Sequence, residues 1–142
     1  MTIIESIKQF VEQCPYLSEY KRGIDFLGKD VESYSIDTVP CTPIIKRYIG
    51  GSAIKQYQFT FSTRECYGRE IVQNLLNLEF YEHFAEWLDT QTKQRNLPQL
   101  DGNREARKIE ALTVGYPFET DTDQAKYQIQ CRLTYFERDE LS

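Results

Sequence analysis

The fold is decided by residues 50–64, which read GGSAIKQYQFTFSTR. Within this stretch Tyr57, Phe59 and Phe61 occupy every second position, and the residues between them are small or polar. Successive side chains of a β-strand point to opposite faces, so the alternation predicts a half-buried strand at about 54–64 with one apolar face.

Shorter stretches before residue 50 show the same alternation. The sequence predicts a short strand around Ile24 and Phe26, a second through Tyr34, Ile36 and Thr38 that ends at Pro40, and a third over residues 44–49. Because Gly50-Gly51-Ser52 separates the third strand from the strand at 54–64, these two are predicted to form a hairpin.

Two helices are predicted from apolar residues at helical spacing. The first covers about residues 2–14: it opens with the capping pattern Thr2-x-x-Glu5 and ends at Pro15. The second begins at Asn77 or several residues earlier and ends before Leu97-Pro98. Its apolar stripe consists of Phe80, Phe84, Trp87 and Leu88.

The C-terminal part is predicted as a polar loop over residues 98–107 followed by an antiparallel pair of strands. The first strand is expected to carry Glu110, Leu112, Val114, Tyr116 and Phe118 on one face. The second is expected to carry Tyr127, Ile129, Cys131, Leu133 and Tyr135 on one face. An acidic connection, residues 119–123, joins them.

The order helix, strands, helix, strands lacks the regular β-α-β alternation of a doubly wound fold. We therefore expect one α+β domain over residues 1–142. It should contain a mostly antiparallel, possibly mixed, sheet of about five to six strands with two main helices on one face. The other face is expected to be polar, to carry tyrosines and to be free to meet a partner, and the sequence shows no internal repeat.

The composition of the chain argues against several classes of function. No apolar run is long enough to cross a membrane, and the N-terminus lacks the features of a secretory signal. A net charge of −5 disfavours binding to nucleic-acid phosphates, although residues from Lys46 to Arg69 could form a local basic patch. The four cysteines are scattered, which indicates free thiols in a reducing compartment.

Residues that could carry catalysis are sparse. The single histidine, His83, lies among glutamates, and a solvated or interface position is its expected place. No Ser-His-Asp pattern, phosphate-binding loop or metal-ligand cluster is present. We therefore predict no catalytic residue, no metal and no cofactor.

Several fragments of the chain, in their order, carry a family resemblance. They are Tyr34-Ser35-Ile36-Asp37, Pro43 to Tyr48, Gly50-Gly51-Ser52, Gln58 to Arg64, Phe80-Tyr81-Glu82 with Phe84 and Trp87-Leu88, Asn96-Leu97-Pro98 with Leu100, and Ala125 to Tyr135. With these, the chain resembles the minor capsid or tail terminator proteins of phages and prophages of Gram-positive hosts.

The resemblance implies a structural protein and not an enzyme. Tail terminators form a ring, usually of six copies, that stops growth of the tail tube and presents a surface for head joining. The implied partners are the chain itself, the tail tube protein and a head-completion or connector protein. The implied location is the tail–head junction of the virion, with assembly in the host cytoplasm. Neither a membrane nor a specific nucleic-acid sequence is an expected partner.

A ring needs two different, complementary patches on each subunit. We expect basic residues between Lys46 and Arg69 to face acidic residues at Glu79–Asp89 or Glu119–Asp123 of a neighbour. The candidate interface residues are Lys46, Arg47, Arg64, Arg69, Glu119, Asp121 and Asp123. Another phage component (a tail tube protein, tail chaperone or connector) and a small ligand-binding domain remain as alternatives.

Overall fold

The computed structural model describes residues 1–17, 34–66, 71–120 and 124–139. Over these residues the chain forms a six-stranded, wholly antiparallel sheet with helices on one face, so the predicted α+β class is confirmed. The elements in chain order are α1 (Ile3–Val11), β1 (Tyr34–Val39), β2 (Ile44–Arg47), β3 (Ala53–Cys66), α2 (Ile71–Lys93), β4 (Arg104–Ala111), β5 (Tyr116–Thr120) and β6 (Gln124–Glu137).

The centre of the sheet is the pairing of β3 with β6. Both strands have 14 residues. They pair over their whole length, from Ala53 opposite Glu137 to Cys66 opposite Gln124. Phe61 therefore lies opposite Ile129 and Phe59 opposite Cys131 on the face that the helices cover.

The four short strands flank this centre in a repeated arrangement. On the outer side of β3, β1 pairs with the C-terminal half of the strand and β2 with its start. On the outer side of β6, β4 pairs with the C-terminal half and β5 with its first residues. The sheet thus consists of two halves, β1–β3 and β4–β6, each contiguous in the chain. In each half one long strand pairs with two short strands in the same order, although the sequence shows no repeat.

The core lies between the covered face of the sheet and the two long helices. Phe59, Phe61, Phe84, Leu88 and Leu133 have no exposed surface. The ring of Phe61 stacks on that of Phe84, with 4.5 Å between their centroids. The apolar alternation of 54–64 and the stripe of the second helix therefore meet each other, as the two patterns require.

The helices follow the sequence prediction with small changes. Thr2 caps α1, because its hydroxyl oxygen accepts a hydrogen bond from the Glu5 amide at 3.2 Å. The second helix is described from Ile71, earlier than Asn77, and ends at Lys93. The predicted strand around Ile24 and Phe26 lies outside the described residues.

The predicted hairpin between β2 and β3 is confirmed. The Tyr48 amide donates to the carbonyl oxygen of Ser52 at 2.8 Å, which closes the turn. Gly51 has a φ of +96°, a conformation that favours glycine, and a Cβ there would also collide with the Asp139 carboxylate.

The C-terminal prediction is wrong in two respects. Residues 104–107 belong to β4 and not to a loop, since they pair with the end of β6. Their polar sequence suits an edge strand with little buried surface. The single strand predicted through residues 110–118 is two strands, β4 and β5, laid end to end along β6.

The predicted apolar face of that strand is also wrong. The register of β4 shifts between Ala106 and Lys108, and this bulge places Ile109 in the core and Glu110 on the open face. Leu112 and Val114 follow the end of β4 and are exposed. Tyr116 lies opposite Gln128, on the open face.

Candidate interaction surfaces

The predicted interface residues that the structure describes do not form one patch. Lys46 and Arg47 lie in β2, and Arg47 is opposite Ala53 at the start of β3. Arg64 lies in β3, opposite Lys126 of β6. At about 3.3 Å per residue, the backbone at Arg64 is roughly 36 Å along β3 from that at Ala53, so the basic stretch is spread over opposite ends of the sheet.

The acidic candidates are only partly placed. Glu119 lies in β5, and its backbone is opposite that of Lys126 in β6. Arg69, Asp121 and Asp123 lie outside the described residues. Of the predicted set, Lys46 and Arg47 are therefore the residues whose side-chain surroundings can be examined.

The hairpin segment, residues 44–51, combines those two cations with exposed apolar side chains. Ile45 is 49% exposed and Ile49 is fully exposed. The Lys46 Nζ lies 5.1 Å from the centroid of the Tyr48 ring. The guanidinium of Arg47 donates to the Gly51 carbonyl oxygen at 3.3 Å. The hairpin segment thus presents exposed apolar and basic side chains next to each other.

A second set of exposed apolar residues lies at the opposite edge of the sheet, in residues 112–115 between β4 and β5, here called the β4–β5 turn. Among the described residues, the large apolar side chains that are exposed fall into the hairpin segment, Leu112 and Val114 of the β4–β5 turn, and Met1. Val114 is 78% exposed. Exposed apolar clusters of this kind mark surfaces that other molecules cover.

Val114 forms the rim of a cleft between α2 and the β4–β5 turn, here called the α2 cleft. Its volume is about 220 Å³. It is lined by Tyr81, Glu82, Ala85, Glu86, Thr113, Val114, Gly115 and Ile129. The turn comes close to the helix at Gly115, where a Cβ would lie 2.4 Å from the Cβ of Tyr81. Glycine is therefore required for this approach.

Acidic side chains border the α2 cleft on the helix side. Glu82 and Glu86 line it, and Glu86 is 76% exposed. His83 follows Glu82 in the chain but is not one of the residues that line the cleft; its Nε2 lies 3.3 Å from a carboxylate oxygen of Glu79 and its Nδ1 lies 3.8 Å from one of Glu86. Its ring stacks on Tyr16 with 5.1 Å between centroids. The cleft thus has an apolar floor and an anionic edge.

The open face of the sheet is polar, as predicted, and its side chains bond to one another. Arg132 donates to Glu110 at 3.1 Å and to Gln56 at 3.4 Å. Gln128 donates to the Tyr116 hydroxyl at 2.6 Å. The alternation of β3 and β6 puts Tyr57, Tyr127 and Tyr135 on the covered face. Among the described residues, Tyr116 lies on the open face, and the Tyr48 ring lies 6.4 Å from that of Phe136, which follows Arg132 on the open side of β6.

Three of the four flanking strands, β2, β4 and β5, are protected against pairing with another chain, whereas β1 pairs with β3 in a regular register. Register shifts interrupt β2, β4 and β5, and β5 contains Pro117. Bulges and prolines are the usual means by which edge strands avoid edge-to-edge association. At these three strands, contacts through side chains are therefore favoured over extension of the sheet.

Titratable groups in the interior are structural. Burial raises the pKa of the Cys131 thiol well above its usual range and also raises that of Cys14, so both stay protonated. Hydrogen bonds from Lys55 and Arg104 lower the pKa of Glu137 at the end of β6. The hydroxyl of Tyr81 is buried, donates to the Tyr127 carbonyl oxygen at 3.0 Å and accepts from Thr63 at 2.5 Å.

Among the described residues, His, Cys, Asp and Glu nowhere come together in a group of three or more that could hold a metal ion. Within the same residues, neither long helix has the length and apolar character needed to cross a membrane. Comparisons with models of protein families, with curated proteins and with solved structures find no match for this chain.

Proposed function

We propose that this chain is a structural subunit of a phage or prophage tail, a tail terminator that caps the tail tube and takes part in head joining. The sequence fragments that carry the resemblance support this. Most of them fall on β1, β2, β3, α2 and β6, that is, on four of the six strands and on one of the two helices that cover the sheet. The resemblance therefore concerns the framework of the domain and not an isolated loop.

The observation that carries the proposal is the exposed apolar surface of the hairpin segment. Ile45, Tyr48 and Ile49 are exposed, although the core between sheet and helices is filled with fully buried side chains. Covering such a surface gains about 25 cal/mol per Å² of apolar area removed from water. A subunit that works by docking needs this kind of surface, and an isolated domain does not.

A tail terminator also has to bind without extending the tube. The bulges in β2, β4 and β5 favour this behaviour, because they disfavour addition of strands from other copies at these edges. A tube protein, the principal alternative, would form open polymers, and the experiment below separates the two.

The test uses the full chain and tail tubes assembled from the tube protein of the same virion. We expect electron microscopy to show closed rings at tube ends, and we expect added protein to stop tube elongation. Decoration along the tube wall, incorporation into it, or absence of binding would contradict the proposal. Ile49→Ser is the matched variant: it should fold like the wild type, because Ile49 is fully exposed, and bind less well.

A further inference from the structure

We propose that the hairpin segment of one copy docks into the α2 cleft of the next copy. This inference rests on the proposed ring-forming function and names the two surfaces that would make the ring. Its occupant is a second copy of this chain, and the contact is between residues 44–51 on one side and the cleft between α2 and the β4–β5 turn on the other.

The apolar surfaces of the two sides match. The hairpin segment offers Ile45 and Ile49, and the cleft offers Ala85 and Val114. Apart from Met1, the large apolar side chains that are exposed within the described residues belong to this hairpin or to the turn beside this cleft. Docking one on the other would cover both at once.

The charges of the two sides also match. Lys46 and Arg47 lie between Ile45 and Ile49 in the hairpin segment and are exposed. Glu82 and Glu86 border the cleft and are exposed. Opposite charges around an apolar centre fix the orientation of a contact and suppress wrong ones, so the pairing is specific to this arrangement.

The two surfaces lie at opposite edges of the sheet. The hairpin segment is attached along the outer side of β3, whereas the β4–β5 turn lies along the outer side of β6. A contact between different surfaces at opposite edges is head-to-tail, and a pair of copies joined in this way retains one free hairpin segment and one free cleft, at which further copies can add. Such contacts close into a ring when the rotation between copies allows it.

A charge-exchange experiment tests the docking directly. Variant one is Lys46→Glu/Arg47→Glu and variant two is Glu82→Lys/Glu86→Lys. Each alone places like charges on both sides of the contact, so we expect self-association, measured by sedimentation velocity, to weaken at least about tenfold. All four substitutions in one chain exchange the charges and should restore association.

A mixture of variants one and two gives the most specific readout. The acidic hairpin of the first then meets the basic cleft of the second, and the basic hairpin of the second meets the acidic cleft of the first. We expect mixed assemblies in which the two alternate. Lys93→Glu/Arg95→Glu makes the same change in net charge as variant one, on exposed residues that belong neither to the hairpin segment nor to the lining of the cleft, and should leave association unchanged.

The results separate this inference from the proposed function. Rings that form normally from variants one and two would overturn the docking and leave the terminator proposal standing. If the free wild-type chain is monomeric, the same series is run with tail tubes, and equal ring formation by all variants there overturns the docking. Failure of the wild type to form rings both in solution and on tubes would overturn both proposals.

Discussion

The two faces of β3 and β6 are built from alternate residues of the same two strands, yet different interactions stabilise them. On the covered face, Phe59, Phe61 and Leu133 are completely buried. On the open face, Gln56, Arg132 and their neighbours remain partly exposed and bond to one another. The covered face depends on burial and close packing, and the open face on hydrogen bonds that water can replace.

This difference predicts how each face responds to substitution. Removing atoms from a packed interior loses the transfer free energy of the side chain and leaves a cavity. Removing a partner from a solvated polar surface is partly compensated by water, and such changes usually stay within about 0.5 kcal/mol. Matched positions on the two faces should therefore differ strongly in how much a substitution costs.

Phe61→Ala should have the largest effect. Its ring is fully buried and stacks on both Phe84 and Tyr34. We expect the free energy of unfolding to fall by about 3–5 kcal/mol in urea titrations. Gln58→Ala, on the open face of the same strand, is the control and should cost far less. Equal losses at the two positions would contradict the distinction between the faces.

Tyrosine hydroxyls allow a finer comparison. Tyr81→Phe removes a buried hydroxyl that donates to the Tyr127 carbonyl oxygen and accepts from Thr63, so we expect a loss of about 1–3 kcal/mol in thermal or urea unfolding. Tyr116→Phe removes a hydroxyl that accepts from Gln128 on the open face. We expect Tyr116→Phe to lower the free energy of unfolding less, because water can accept a hydrogen bond from the Gln128 amide that loses its partner.

Glu137 predicts a dependence of stability on pH. Hydrogen bonds from Lys55 and Arg104 lower its pKa in the folded state, so its contribution is present above the unfolded value, near 4.5, and is lost as the pH falls through the folded value. Glu137→Gln should therefore cost up to about 1 kcal/mol at pH 7 and nothing in strong acid. If the difference in stability between Glu137→Gln and the wild type stayed the same down to low pH, the charge of Glu137 would not be its cause.

The smallest effect is expected for the ion pair between Arg132 and Glu110 on the open face, where the two side chains are 3.1 Å apart. A double-mutant cycle with Arg132→Gln and Glu110→Gln should give a coupling free energy below about 1 kcal/mol, decreasing with added salt. A coupling of several kcal/mol would mean that the open face, too, depends on specific pairing.

The central elements could be predicted because their patterns are regular. Thr2 and Glu5 indicated the start of α1, and the alternation around Phe59 and Phe61 indicated β3 and its buried face. The C-terminal prediction failed because residues 104–107 show no apolar alternation and because β4 ends at Ala111. Leu112 and Val114, which the sequence pattern assigns to a strand face, are therefore exposed in the turn. The common strand arrangement of the two halves could not be predicted from the sequence either, since corresponding positions of the halves hold different residues.

The interaction surfaces were only partly predictable. Charge alone selected Lys46 and Arg47, and also Arg64, which the fold places at the far end of β3. The exposed isoleucines of the hairpin segment could not be recognised, because a strand through residues 44–49 reads like any buried strand. The α2 cleft was out of reach, since it depends on the approach of Gly115 to Tyr81, two residues that are distant in the chain.

The pairing of β3 with β6 has a consequence for how the chain folds. Each half of the sheet can begin from a short local connection, between β2 and β3 or between β5 and β6. The two halves meet only when β3 finds β6, with all of α2, β4 and β5 lying between them in the chain. Closing that long loop costs entropy before the central contacts can form. Refolding is therefore expected in the millisecond-to-second range of proteins dominated by non-local strand pairing.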